Sequence, residues 1–214
     1  MLVVDDHPVV RQGLALRIGH EPDLEVCAEA ETAAEALRAI AAHAPDVAIV
    51  DLSLKGTSGL ELVKDIKVRH PKLPVLMLSI ADENIYAERA IRAGAKGYLM
   101  KEEPTERILA AIRRIIGGGI YLSEAMATRL LQEFAAGGPI GGRAPVNRLS
   151  DRELEVFRMI GQGHGTGEIA RQLHLSTKTI ETYRAHIKEK LNLQTATELL
   201  QHAIQYVQET PGGV

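Results

Sequence analysis

Five short apolar runs, Leu2–Val4, Leu24–Ala28, Val47–Val50, Val75–Leu78 and Gly97–Met100, recur through the first half of the chain. Each is followed by a stretch with helical spacing. In Ala33–His43 the residues Ala36, Leu37, Ile40 and Ala41 fall on one side of a helix, and in Leu60–Val68 Leu60, Val63, Ile66 and Lys67 are similarly staggered. Strands that alternate with helices form parallel sheets, because a parallel connection needs a crossover long enough to hold a helix. The pattern predicts an α/β domain with a doubly wound five-stranded parallel sheet. VAIVD stays apolar until Asp51, as a central strand does when both faces are covered and only its tip meets solvent.

The pattern changes after Gly117-Gly118-Gly119, which breaks the fifth helix. Ser123–Ala135 has helical character, and the following AAGGPIGGRAPVN reads as a turn-rich tether. From Leu149 onward every signal is helical. Ser150-Asp151-Arg152-Glu153 is a capping box that opens a helix with Leu154, Phe157 and Ile160 inward. Thr166 is expected to cap a short second helix carrying Ile169, Ala170 and Leu173, and Ser176 a third with Ile180, Tyr183, Ile187 and Leu191 inward. Thr195-Ala196-Thr197-Glu198 opens a last helix with Leu199, Leu200, Ala203, Ile204 and Val207. The predicted domains are 1–117, a linker with a helix over 118–148, and a small all-α four-helix module over 149–209.

Composition removes several classes of function. No apolar run approaches the roughly 18 residues of a membrane span, and MLVVDDHP lacks the basic and apolar regions of a signal peptide. Cys27 is the single cysteine, which forbids an internal disulfide and fits a cytoplasmic protein. With five Tyr, two Phe and no Trp, a stacking platform for single-stranded nucleic acid is disfavoured. The net charge of −3 is uneven: 16 Lys/Arg against 20 Asp/Glu up to Ala135, then 9 against 8 from Arg143 onward.

In an open parallel sheet, ligands bind outside the carboxyl ends of the strands. Those ends carry Asp5 and Asp6, Asp51, Ser79 and Lys101. Converging carboxylates repel one another unless a cation sits among them, and hard oxygen ligands suit Mg²⁺ together with phosphate oxygens. A lysine and a hydroxyl beside such a site suit a phosphoryl group, and an aspartate there can become an acyl phosphate. Singly, each residue has a blander use, and Asp6 could simply cap the helix beginning at Pro8.

The segments LVVDDHPVVRQGL, VAIVDLSLKGTSGLELVKDIK and LSIADENIYAERAIRAGAKGYLMK together resemble the receiver domain of two-component response regulators, over about the first 117 residues. The resemblance implies a flavodoxin-like fold with Asp51 as phosphoacceptor. It implies Mg²⁺ held by Asp6, Asp51 and the backbone carbonyl of Ser53, with Asp5 assisting through water. Ser79 becomes the switch hydroxyl, Lys101 the phosphoryl-binding lysine and Tyr98 the aromatic switch position. Lys55 departs from the pattern, standing where many receivers have Pro. His7, His43 and His70 show no ligand spacing and read as surface residues, and Cys27 reads as a packed small hydrophobe.

On a helical wheel the third helix of the last module gathers Ile180, Tyr183, Ile187 and Leu191 on one side. Lys178, Glu181, Thr182, Ala185, Lys188 and Glu189 lie on the other. A polar, small-residue outer face suits a helix in the major groove of double-stranded DNA. Thr177, Lys178, Thr179, Arg184 and Lys188 could bond phosphates, Glu181 could accept from a cytosine amino group, and Thr182 could touch a thymine methyl. The segment LSDRELEVFRMIGQGHGTGEIARQLHLSTKTIETYRAHIKEKLNL resembles the LuxR-type helix-turn-helix, with EIA, STKTI, YR and KL in register. Gly167 and Glu181 stand where a Lys is frequent in that family.

The two resemblances together match the NarL/FixJ class over nearly the whole chain. They imply a DNA-binding transcriptional regulator that is no enzyme. It would be phosphorylated by a sensor histidine kinase and would form homodimers when phosphorylated. Two rivals differ in class. A Mg²⁺-dependent phosphohydrolase would need a second carboxylate two residues after Asp51, where Ser53 stands. A signalling receiver acting by protein docking or as a phosphoryl sink would lack DNA output.

Overall fold

Leu2–Val4, Ala48–Val50 and Val75–Ser79 are wholly buried strands, and their short apolar side chains form the middle of a parallel sheet. The computed structural model describes residues 1–135 and 145–209 of the 214-residue chain. Contacts divide the chain into two units, Met1–Ala135 and Ala136–Val214.

In the first unit the order is β1 (Leu2–Val4), α1 (Pro8–Gly19), β2 (Ala28–Ala30), α2 (Ala33–His43), β3 (Ala48–Val50) and a hairpin of β4 (Ser53–Leu54) and β5 (Thr57–Ser58). Then come α3 (Gly59–Arg69), β6 (Val75–Ser79), α4 (Glu83–Ala93), β7 (Gly97–Met100), α5 (Thr105–Ile116) and α6 (Glu124–Ala135). The main sheet runs β2-β1-β3-β6-β7, all parallel, and β4 pairs antiparallel with β5. Strand order reverses between β1 and β3, so the loops that follow those strands diverge and leave a crevice at their carboxyl ends. The expected five-stranded doubly wound architecture is present.

The second strand is displaced from its expected run. Ala28 pairs with Leu2 and Ala30 with Val4, whereas Leu24 and Val26 pack against the apolar core beneath α1 and α5. The apolar run therefore marks packing, and the strand that follows lies at the sheet edge, where the Glu29 side chain is tolerated. On α2, Ala36 and Ile40 are buried while Ala41 is exposed; on α3, Leu60, Val63 and Ile66 are buried while Lys67 is exposed. The buried stripe loses Ala41 on α2, and on α3 it takes in Leu62 in place of Lys67.

Beyond α5 the chain stays on the first unit. Tyr98 N–H donates to the Tyr121 carbonyl (3.2 Å) and Tyr121 N–H to that of Lys96 (2.9 Å), extending the sheet edge beside β7. A Cβ at Gly97 would lie 2.8 Å from the Tyr121 carbonyl oxygen, so this approach requires glycine. Ser123 then caps α6, accepting from Met126 N–H, and donates to Glu83 of α4 at 2.7 Å. The tether expected over 135–147 falls largely outside the described residues.

The second unit has a short 3₁₀ turn (Pro145–Arg148) and α7 (Asp151–Gly161), α8 (Thr166–Gln172), α9 (Thr177–Leu191) and α10 (Ala196–Glu209). The capping box of Ser150 and Glu153 is formed, and Ser176 caps α9. Gly165, not Thr166, occupies the cap of α8. Its N–H donates to Glu168 (3.0 Å), while the Thr166 hydroxyl is turned to Glu181 on α9. On α10, Leu199 and Ala203 are buried, and Leu200 and Ile204 are exposed. No helix among the described residues is long and apolar enough to cross a membrane.

Candidate functional site

The crevice at the carboxyl ends of β1 and β3 gathers Asp5, Asp6 and Asp51, each at most 8% exposed. Single carboxylate oxygens of these three and a ring nitrogen of His7 all lie within 4.8 Å of one another. Lys101, at the end of β7, reaches in with Nζ 2.6 Å from Asp5 Oδ2 and 2.8 Å from Asp51 Oδ2. The cap alternative for Asp6 is not realised, since α1 begins after His7 without a side-chain cap bond. Asp5 serves the local turn instead, its Oδ1 accepting the His7 N–H at 2.8 Å.

Asp51 carries the clearest electrostatic signature. Burial pushes its carboxyl up to about 6, helped by the Asp5 charge and opposed by Lys101 and by the hydrogen bond that Leu52 N–H donates to Oδ1. Burial disfavours the Lys101 charge, but Asp51 and Asp5 outweigh it and hold the ammonium above its ordinary value. One lysine among three buried carboxylates leaves the cluster short of positive charge. A compact set of hard oxygen donors with that deficit fits a divalent cation such as Mg²⁺. Gly59 closes the loop behind Asp51: its N–H donates to the Leu52 carbonyl (2.6 Å), and a Cβ there would sit 1.9 Å from the Asp51 carbonyl oxygen.

Ser79 and Tyr98 meet at one residue. Ser79 Oγ, buried at the end of β6, accepts from Ala81 N–H (3.1 Å), and the Tyr98 hydroxyl donates to the Ala81 carbonyl (2.6 Å). Tyr98 is fully buried, and burial pushes its phenol well above the ordinary range. Ala81 lies two residues before Glu83, the partner of Ser123 that leads into α6.

Two features escaped sequence reasoning. His7 Nδ1 lies 2.8 Å from Asp6 Oδ1 and 3.2 Å from Asp5 Oδ1; adjacency to two aspartates was its only signal. Arg11, buried on α1, donates to the Asp5 carbonyl (2.6 Å) and pairs with Glu31 (2.8 Å) and Glu29 (3.3 Å). Glu31 also accepts from Lys55 at the hairpin tip (2.9 Å). No local pattern joins residues 11, 31 and 55.

In the second unit, α8 and α9 form the two helices of a helix-turn-helix, with His174 at φ +53° in the turn. Thr177, Lys178, Glu181, Thr182 and Ala185 are exposed, and Thr179, Arg184 and Lys188 half-buried. Ile180 and Ile187 are buried, while Tyr183 and Leu191 are only half-buried. Three polar groups of the outward set also have partners inside the module. Thr182 Oγ1 donates to the Lys178 carbonyl (3.1 Å), Thr179 Oγ1 lies 2.8 Å from Ser176 Oγ, and Glu181 Oε1 accepts from Thr166 (2.9 Å). Behind the helix, Glu153 is 3% exposed and accepts from Ser150 N–H (2.7 Å) and from Lys190 Nζ (2.6 Å), with His186 Nδ1 3.7 Å away. Burial works against the Glu153 charge, but these donors hold the carboxyl below its ordinary value.

Comparison with known proteins places both halves. Residues 1–113 match the family model of the response regulator receiver domain, and residues 147–203 that of the bacterial regulatory proteins of the luxR family. Oxygen regulatory protein NreC of Staphylococcus carnosus is 36% identical over 208 residues, covering 95% of this chain and 96% of NreC. Among solved structures, the response regulator ChrA of a heme-sensing two-component system is 31% identical, with a TM-score of 0.51 over 96% of each chain. RcsB from Salmonella enterica serovar Typhimurium, solved bound to promoter rprA in the presence of the phosphomimetic BeF3-, is 26% identical. Its TM-score is 0.60, covering 95% of this chain and 96% of that one.

Proposed function

The chain belongs to the NarL/FixJ-class response regulators, phosphorylation-controlled transcription regulators that join a receiver to a LuxR-type DNA-binding domain, and on that premise we propose that Asp51 is the phosphoacceptor and α9 the DNA-reading helix. The observation that carries this reading is the buried cluster of Asp5, Asp6 and Asp51 with Lys101 bridging two of its carboxylates. A carboxylate oxygen of Asp51 attacks the phosphorus of a sensor kinase's phosphohistidine. The P–N bond breaks, and the imidazole nitrogen leaves with the electron pair and takes up a proton. Asp6, Asp51 and the Ser53 backbone carbonyl, with Asp5 assisting through water, would hold Mg²⁺, which when bound would supply positive charge to offset that on the phosphoryl oxygens.

Lys101 exchanges part of its pairing with Asp51 for the new phosphoryl oxygens, and Ser79 donates its hydroxyl to one of them. That movement draws Ser79 Oγ from the Ala81 N–H it now accepts from. Ala81 also anchors the Tyr98 hydroxyl, so the β6–α4 loop is biased by any shift of Ser79. In this reading the active form is a homodimer in the cytoplasm. Its two DNA-binding modules each present Glu181, Thr182 and Ala185 to the major groove, with Thr177, Lys178, Thr179, Arg184 and Lys188 at the flanking phosphates.

Selection of bound sequences from random double-stranded DNA, with and without acetyl phosphate, tests the proposal. The expected result is a repeated half-site enriched with the phosphodonor. Failure to enrich any sequence under either condition overturns the DNA-reading assignment and favours a receiver acting by docking.

A further inference from the structure

Asp5 and Asp51 lie on two separate loops, after β1 and β3, and the cluster works only if those loops keep their spacing. Arg11, Glu31 and Lys55 span the gap on the outer side. Arg11 is 9% exposed, and its Nη1 donates to the backbone carbonyl of Asp5 at 2.6 Å. Its Nη2 donates to Glu31 Oε1 at 2.8 Å, and Nε pairs with Glu29 at 3.3 Å. The other oxygen of Glu31 accepts from Lys55 Nζ at 2.9 Å. Lys55 and Gly56, the latter at φ +77°, form the two-residue turn between Ser53–Leu54 and Thr57–Ser58. Both oxygens of one carboxylate are thus used, one toward the Asp5 loop and the other toward the hairpin that carries Ser53.

We propose that Arg11, Glu31 and Lys55 are positioning residues for the phosphoacceptor site, a charged bracket that holds the Asp5–Asp6 loop and the Asp51–Ser58 loop at the separation a bound divalent cation requires. The proposal rests on the metal-site reading given above. None of the three touches the reacting atoms. An isolated surface ion pair such as Lys55–Glu31 contributes little, but here one end is fastened through a buried guanidinium to the backbone of a candidate ligand residue. Outer partners of this kind change metal affinity more than overall stability, because they fix where the ligands stand before the cation arrives. The same geometry accounts for lysine at position 55, where many receivers carry Pro: proline has no side chain able to reach Glu31.

The test is the Mg²⁺ dissociation constant of the full chain, measured by calorimetric titration with MgCl₂ beside the thermal midpoint of the metal-free protein. Glu31→Gln is expected to weaken Mg²⁺ about tenfold, with a nearly unchanged midpoint because residue 31 is half exposed. Lys55→Ala is expected to weaken it several-fold, Lys55→Arg to retain wild-type affinity, and the Glu31→Gln/Lys55→Ala double variant to be no weaker than Glu31→Gln alone. Wild-type Mg²⁺ affinity in both single variants overturns the bracket, as does a double variant whose loss is the product of the two single losses. Asp6→Ala separates the two levels: if it binds Mg²⁺ like wild type, the metal-site reading itself fails.

Discussion

Asp51 and Glu153 are both almost fully buried, and each has a lysine ammonium within 2.8 Å. Burial pushes the carboxyl of Asp51 up to about 6. That of Glu153 is held below its ordinary value although burial opposes it. The neighbours make the difference. Glu153 receives a backbone N–H and a lysine, with no second carboxylate among those partners. Asp51 shares its lysine with Asp5 and stands beside Asp6. Satisfied donors turn a buried carboxylate into a clamp between helices, whereas a shortage of positive charge makes it a place where a cation and a phosphoryl group are favoured.

The largest expected effect is chemical. Asp51→Asn removes the nucleophilic oxygen and should abolish acyl phosphate formation, read as loss of hydroxylamine-labile label from a radiolabelled small phosphodonor. Labelling at the wild-type rate would move the acceptor elsewhere and break the contrast. Next comes Glu153→Gln, which takes the charged partner from Lys190, itself partly exposed, and weakens the capping box, and should destabilise the helical module by about 1 kcal/mol. Hydrogen exchange in α7 and α9 checks it, and protection equal to wild type would mean that the clamp contributes nothing.

Acidity distinguishes the two regions by sign. The raised value of Asp51 means that its contribution to stability is fully present below 3.8 and is lost as pH rises through about 6, by roughly 3 kcal/mol at most. Glu153 runs the other way, stabilising above 4.5 and losing that contribution as pH falls through its lower folded value. Unfolding followed separately in the two units from pH 3 to 7.5 should show the first unit losing stability as pH rises from 3.8 through about 6 and the second losing it as pH falls below 4.5, and Mg²⁺ should flatten only the slope of the first unit. Equal slopes would refute the assigned environments. The smallest effect concerns the outer face of α9: Lys178→Ala should weaken DNA binding several-fold at every sequence and lower the salt slope by about one. A change confined to one base position would make Lys178 a base reader instead.

The sheet, the strand-end residues and the helix-turn-helix were legible because each rests on short-range patterns. A buried strand reads as an apolar run, and in a parallel sheet the residue after the run lands at the ligand-binding end. Asp51 and Lys101 were therefore identifiable from their places alone. The run Leu24–Ala28 misled because packing on a core and pairing in a sheet select the same side chains; the register with Leu2 decided that β2 begins at Ala28. Thr166 misled as a cap because its hydroxyl had a better acceptor in Glu181, fifteen residues away.

Local sequence, through periodicity, capping residues and the order of apolar runs, determined that this chain makes a parallel α/β domain and a four-helix module, and which residues stand at the strand tips. Tertiary structure alone decided which charges meet: Lys101 between Asp5 and Asp51, Lys190 on Glu153, and Arg11 with Lys55 on Glu31. Backbone periodicity acts over a few residues and leaves its mark in neighbouring letters. An ion pair depends on where separate elements are brought together, and only the folded chain sets that distance.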